Sequence, residues 1–138
     1  AMPGFEGDPN RSLPPNVYRP DDTQNFTALL AEFRRQLDEL GKQTGKHYLL
    51  TIAAPAGSQN YGKMELDKIH PYLDWINIMT YDIHGTWDKT GPTNFQAPLY
   101  SSPDDPTVPP NNISVDSVIT AYLKMGIPSE KLVMGVPF

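Results

Sequence analysis

The stretch WINIMTYDIHGTWD, residues 75–88, decides the fold of this chain. Its first half is continuous and apolar, which is typical of a strand buried on both faces in a parallel sheet. Side chains alternate along a strand, so Met79 and Tyr81 point to the same side of a strand predicted over 75–81. Asp82 follows at the carboxyl end of that strand. The stretch therefore predicts a phenol and a carboxylate at one edge of a sheet.

Helices and strands alternate on both sides of this stretch. The predicted strands are 47–54, 75–81 and 132–138, and the predicted helices are 23–41, 57–74 and 114–125. Asp21, Asp22 and Thr23 are candidates for the cap of the first helix and Gly41 for its end, while Ser114 caps the last helix. Such alternation favours a parallel sheet with helical crossovers, and the pattern alone fits an open doubly wound sheet or a segment of a barrel.

Long proline-rich loops separate some of these elements. Residues 1–22 and 82–112 lack the periodicity of a helix or a strand and contain most of the 15 prolines. The second loop follows directly after the strand predicted over 75–81. Parallel α/β folds place their chemistry in the loops at the carboxyl ends of the strands, so this loop is where we expect a functional site.

The composition excludes several classes of function. The net charge is −5, from 11 basic and 16 acidic residues, and offers no cationic surface for nucleic acid. No window approaches the run of about 18 apolar residues that a membrane span needs. The chain has no cysteine, which removes thiolate nucleophiles and cysteine-ligated zinc and leaves the redox compartment undetermined. It opens without a signal peptide, so we expect either a cytosolic protein or a natural start further upstream.

The residue types alone leave the chemistry of the rim open. Tyr81, Asp82 and Trp87 could form a binding site, or Tyr81 could belong to the core, Asp82 cap a turn and Trp87 pack a loop. The three histidines lack metal-ligand spacing, so no metal or cofactor is expected, and His84 is interpreted as a solvated loop residue. No nucleophile elbow or phosphate-binding loop occurs.

The order of four motifs resembles a known family. WINIMTYDIHGTWD, with LLTIAAPAG before it and KLVMGVPF after it, closely resembles the bacterial-type chitinases of glycoside hydrolase family 18. The segment RPDDTQNFTALLAEFRRQLDE resembles the family's helix after its fourth strand. The resemblance implies a partial (β/α)8 TIM barrel with roughly the fifth to seventh strands. Residues 1–138 would then be a fragment of a single catalytic domain, with 1–22 as the loop that follows the missing fourth strand.

The resemblance also assigns roles to six residues. In the family, the sixth-strand Met, Tyr and Asp line the subsite of the sugar being cleaved. Tyr81 would hydrogen-bond the N-acetyl group, and Asp82 would stabilise the ring formed from that group. An aromatic ring offers a large rigid surface to the apolar face of a sugar, which suits Trp87. The implied substrate-binding residues are Met79, Tyr81, Asp82, Trp87, Ala53 and Ala54, the two alanines leaving space for the acetamido group.

One motif of the family is missing. The sequence DxxDxDxE, which supplies the general acid from the fourth strand, occurs nowhere in the chain, and none of the five glutamates follows that pattern. The resemblance therefore implies that the parent protein is a retaining, substrate-assisted chitinase, while residues 1–138 alone are inactive. A sugar-binding lectin that has lost the acid glutamate remains an alternative, because the discriminating residue lies outside the chain.

The resemblance implies partners and a compartment as well. The expected ligand is chitin or a chitooligosaccharide, without nucleic acid or membrane, and the parent protein is expected to be secreted. A barrel that is cut open has unpaired edge strands, so we expect the isolated segment to self-associate through them.

Overall fold

The computed structural model describes residues 2–7, 14–88, 90–91, 93–107 and 112–138. In these ranges the helices are α1 (Asp22–Thr44), α2 (Ser58–Tyr61), α3 (Leu66–Ile69) and α4 (Val115–Lys124), and the strands are β1 (Thr51–Pro55), β2 (Trp75–Met79) and β3 (Leu132–Met134). Two 3₁₀ turns, His70–Tyr72 and Ser129–Lys131, precede β2 and β3. The predicted order of elements is confirmed. Each strand is shorter than predicted.

The three strands form one parallel sheet in the order β1-β2-β3. Thr51 pairs with Trp75 and Pro55 with Met79, so β1 and β2 end at the same level. Neighbouring strands follow one another along the chain, as they do in a barrel wall and in one half of a doubly wound sheet. This arrangement brings the segments after Pro55 and Met79 side by side.

One face of the sheet is covered and carries the core. Ile52 and Ala54 of β1 and Ile76 and Ile78 of β2 are buried against side chains from the helices. The alternate residues face the other side, where Ala53 is exposed and lies in register with Asn77. The period-2 pattern therefore separates a packed face from an open one.

Helix α1 runs further than predicted. Asp21 is its N-cap residue, and it ends at Gly45, which adopts the left-handed conformation with φ 69°. Gly41, the predicted end, lies inside the helix, where a Cβ would come within 2.5 Å of the carbonyl oxygen of Lys46. The positive φ at position 45 is what makes that glycine the stop. Among the described residues no helix is long and apolar enough to cross a membrane.

The segment predicted as one helix over 57–74 is broken into pieces. Helix α2 ends at Gly62, and α3 starts only after the buried Met64. A 3₁₀ turn containing Pro71 then leads into β2. Helix α4 is confirmed with a capping box, in which Ser114 and Ser117 each bond the backbone N–H of the other.

The carboxylate of Asp74 anchors the amino end of β2 by several polar contacts. Asp74 accepts a hydrogen bond from the backbone N–H of Leu50 at 2.6 Å, contacts His47 Nε2 at 2.5 Å and pairs with Arg34 at 3.4 Å. Arg34 also donates to the carbonyl oxygen of Tyr48 at 2.9 Å. Burial by itself raises the pKa of Asp74, but the hydrogen bond from Leu50, the imidazole of His47 and the charge of Arg34 outweigh it, so this pKa lies below its ordinary value.

Candidate functional site

Glycine 135 positions the phenol of Tyr81 at the carboxyl end of β2. The N–H of Gly135 donates to the carbonyl oxygen of Ile78 at 2.9 Å, and its own carbonyl accepts from the hydroxyl of the fully buried Thr80 at 2.7 Å. A Cβ on residue 135 would lie 2.6 Å from the Ile78 oxygen and 2.7 Å from Cε1 of Tyr81. The ring of Tyr81 therefore rests on the backbone of the segment that follows β3.

The backbone turns sharply at Asp82. Its φ is 56°, which makes Asp82 the one non-glycine residue with positive φ among the residues that the structure describes. Aspartate tolerates this conformation better than most residues, and such strain concentrates at functional sites. Gln96 Nε2 donates to Asp82 Oδ1 at 2.7 Å, and the N–H of Ile83 donates to the carbonyl oxygen of Gln96 at 2.8 Å. The turn thus sets the direction of the Asp82 side chain, and the amide of Gln96 holds its carboxylate.

Three of the predicted site residues meet in one depression. Met79, Tyr81 and Asp82 line a cavity of about 340 Å³ at the carboxyl ends of β1 and β2. The other lining residues are Pro55, Ala56, Gly57, Asn60, Ile83 and Ile113. Apolar walls with a phenol and a carboxylate suit a ligand that has both apolar faces and polar substituents.

Trp87 lies beside this depression. Its side chain is 54% exposed, and its ring lies so close to Gly85 that a Cβ there would be 2.4 Å from Cη2. Trp87 lines a second cavity of about 320 Å³, which shares Gly57, Asn60, Ile83 and Ile113 with the first. An exposed indole at the rim of two adjoining cavities can serve as the stacking surface that the resemblance implies.

The two predicted alanines point in opposite directions. Ala53 is exposed on the open face of the sheet, whereas Ala54 is 0% exposed and packs in the core. Ala54 is therefore not available to a ligand, and the prediction that it leaves space for an acetamido group is wrong. The physical reason is the alternation of side chains, which cannot send two successive residues to the same face.

His84 is buried, which corrects its interpretation as a solvated loop residue. Its side chain and that of Asp105 are each 4% exposed, and Nε2 lies 3.6 Å from Asp105 Oδ2. Nδ1 lies 3.2 Å from Asp88 Oδ2, and Asn94 Nδ2 approaches Nε2 at 3.3 Å. The hydroxyl and N–H of Thr107 donate to Asp105 and, with smaller contributions from His84 and Asn94, hold the pKa of that carboxyl below its ordinary value. The ring is buried because the loop supplies its polar partners.

Several residues at this edge lie outside the sequence motifs. Asn60 and Ile113 line both cavities, and Gln96 holds Asp82, yet all three lie outside the quoted motifs. The rule that parallel strands end at a common edge could have found Asn60, since it follows β1 closely. Gln96 is reached only by the folding of a loop. In the part of the chain that the structure describes, no group of three His, Cys, Asp or Glu residues could hold a metal ion.

Comparison with known proteins identifies relatives. Residues 6–138 match the family model described as Glycosyl hydrolases family 18. Chitinase A1 of Niallia circulans is 45% identical over 127 residues, which is 89% of this chain and 18% of that protein. The chain thus spans about a fifth of the length of this curated relative.

Solved structures agree with that match. Chitinase ChiA74 from Bacillus thuringiensis is 46% identical with a TM-score of 0.84, and the superposition covers 99% of this chain and 21% of that chain. A Group II chitinase catalytic domain of Ostrinia furnacalis, solved in complex with penta-N-acetylchitooctaose, is 33% identical with a TM-score of 0.74 and covers 86% of this chain and 28% of that chain. The predicted partial (β/α)8 barrel is confirmed.

Proposed function

Because this chain belongs to glycosyl hydrolase family 18, we propose that the protein containing it hydrolyses the β-1,4 linkages between N-acetylglucosamine units of chitin. The observation that carries the proposal is the convergence of Met79, Tyr81 and Asp82 on one depression at the carboxyl edge of the sheet. No comparison favours the alternative of a sugar-binding lectin.

The residues of the depression suit a substrate-assisted reaction. In that mechanism the N-acetyl oxygen of the substrate attacks C1, the bond from C1 to the leaving oxygen breaks, and an acid protonates the leaving oxygen. The Tyr81 hydroxyl orients the acetamide by a hydrogen bond, and the Asp82 carboxylate stabilises the positive charge that develops on the five-membered ring. Water then opens that ring and restores the configuration at C1.

The acid comes from another part of the protein in this proposal. Residues 1–138 form part of a single catalytic barrel, and residues 1–22 are the loop that follows its fourth strand, whose DxxDxDxE motif supplies the glutamic acid. The chain spans only 18 to 28% of the three chitinases named above, which supports this arrangement. The open face of the sheet, with exposed Ala53 and half-exposed Val133, would then line the inside of the barrel.

Ligand, assembly and compartment follow from the same proposal. The two cavities, which share four lining residues, bind a chitooligosaccharide, with Trp87 stacking on the face of a sugar. Within the described part of the chain, strands β1 and β3 each pair with one strand, so the isolated segment self-associates through these edges. The complete protein acts outside the cell, where chitin occurs.

The proposal is tested with a fluorogenic chitobioside and with chitin oligosaccharides. We expect the complete protein to release the fluorophore, the first sugar product to be the β-anomer by NMR, and the isolated 138-residue chain to be inactive. The Asp67→Asn variant, altered at an exposed position of α3, is the matched control and should keep full activity. A complete protein that binds the oligosaccharides without cleaving them would be a lectin and would overturn the proposal.

A further inference from the structure

We propose that Gln96 is a positioning residue that orients the carboxylate of Asp82 toward the substrate, an inference that rests on the proposed function of Asp82. The side-chain amide of Gln96 donates to Asp82 Oδ1 at 2.7 Å. Gln96 is not one of the residues that line the depression, so it acts through Asp82 rather than by touching the ligand.

Gln96 is itself held in place by the loop that contains it. Its carbonyl oxygen accepts from the N–H of Ile83 at 2.8 Å, which joins the residue after Asp82 to the far side of the loop. Two residues earlier, Asn94 contacts the ring of His84 at 3.3 Å, and that ring is buried between Asp88 and Asp105. The backbone of residue 96 is thus held beside Asp82, within reach of the exposed side-chain amide.

The chemistry of an amide fits this task. Gln96 engages Oδ1 of Asp82, so in this proposal Oδ2 is the oxygen that serves the substrate. Because the amide is neutral, it restricts rotation of the carboxylate without cancelling its negative charge. A lysine or arginine at position 96 would orient the group equally well but would neutralise the charge that stabilises the transition state.

Three substitutions at position 96 in the complete protein test the proposal. Gln96→Met keeps the length and removes the donor, and we expect kcat to fall about three- to tenfold with KM nearly unchanged. Gln96→Asn keeps the donor on a shorter side chain and should restore part of kcat. Gln96→Glu places a second carboxyl against Asp82, so we expect it to lower kcat more than Gln96→Met does at neutral pH. This decrease in kcat should become smaller as the pH falls and the two carboxyl groups share one proton. Gln24→Glu adds the same charge at an exposed position of α1 and should leave kcat and its pH profile unchanged.

The outcomes separate a positioning role from a merely structural one. Equal losses for Gln96→Met and Gln96→Glu with parallel pH profiles, or an unchanged kcat for Gln96→Met, would overturn the proposal. If Gln96→Glu does not fold, the other two variants test the proposal. A higher kcat for Gln96→Asn than for Gln96→Met supports it, and equal kcat values overturn it. If the unmodified protein is inactive, the proposed function fails, and crystal structures of the unmodified protein and of Gln96→Met then decide separately whether the Asp82 carboxylate rotates when the amide is lost.

Discussion

Two aspartates flank strand β2 and differ in almost every contact. Asp74, just before the strand, is bonded by Leu50 and His47 and paired with Arg34, and its side chain is 19% exposed. Asp82, three residues after the strand, is exposed and held by the Gln96 amide on a backbone with positive φ. The same side chain is thus part of the scaffold at one end of the strand and available for chemistry at the other.

The difference reflects the different roles of the two ends of the strands in a barrel wall. Contacts at the amino ends of the strands stabilise the fold, while the carboxyl ends carry loops that can vary without disturbing the sheet. A carboxylate whose lone pairs are already satisfied by the protein cannot serve a substrate. We therefore expect Asp74 to matter for stability and Asp82 for turnover, and the following experiments can break or sharpen that division.

The largest effect is expected for Asp82→Asn on activity. Removing the negative charge should lower kcat of the complete protein by about 10²–10³-fold, the cost of losing one electrostatic stabiliser of a transition state. The melting temperature should stay unchanged, since asparagine also tolerates the left-handed backbone. Fluorogenic turnover and thermal unfolding are measured on the same preparation. A large fall in melting temperature would show that Asp82 belongs to the scaffold after all.

Asp74→Ala should lower the stability of the protein and leave kcat nearly unchanged. The substitution leaves the N–H of Leu50 without its acceptor and removes one partner of Arg34, which keeps its bond to the Tyr48 carbonyl oxygen, and we expect the free energy of unfolding to fall by about 2 kcal/mol. Urea denaturation followed by tryptophan fluorescence measures this loss. At a temperature where the variant is folded, kcat should remain close to that of the unmodified protein. A variant of full stability and low kcat would reverse the assignment of the two aspartates.

The stabilising effect of Asp74 should depend on pH. Its pKa in the folded protein lies below the ordinary value of about 3.9, so its contribution to stability is complete above that value and is lost as the pH falls through the lowered pKa. Unfolding free energies measured from about pH 6 down to about pH 2.5 should fall more steeply for the unmodified protein than for Asp74→Asn, and the two curves should converge in acid. Parallel curves would remove Asp74 as the cause.

The smallest effect is expected for Tyr122→Phe, which tests whether a structural contact at the carboxyl edge can be lost without a change in turnover. Tyr122 is fully buried, and its hydroxyl donates to the carbonyl oxygen of Pro55 at 2.7 Å, at the end of β1. Burial raises the pKa of this phenol, so it remains a donor at neutral pH. Losing the bond should cost about 1 kcal/mol of stability by urea denaturation. A fall in kcat as well would show that Pro55 transmits the change to the depression.

Features that depend on local pattern could be predicted from the sequence. The alternation of helices and strands, the Ser114 cap and the meeting of Met79, Tyr81 and Asp82 follow from periodicity and from the common edge of parallel strands. Helix ends are less certain. Gly41 and Gly45 look alike in the sequence, and only the backbone conformation at position 45 distinguishes them.

Features that depend on loop folding could not be predicted in the same way. The burial of His84 requires Asp105 to return from 21 residues further along the chain, and the bond to Asp82 requires Gln96 to do the same from 14 residues away. Neither spacing follows from a repeat. Ala54 differs, because side chains alternate along a strand, so Ala53 and Ala54 could not both face the same ligand.

The contact between Gly135 and Tyr81 has a consequence for directed evolution of the two cavities. Any side chain at position 135 would collide both with a backbone oxygen that cannot move and with the ring of Tyr81. Libraries intended to alter selectivity should therefore keep codon 135 fixed and randomise Ile113 and Asn60, which line both cavities. Recombination breakpoints placed between residues 81 and 135 would separate the tyrosine from the glycine on which it rests, so crossovers in this interval should yield few active chimeras.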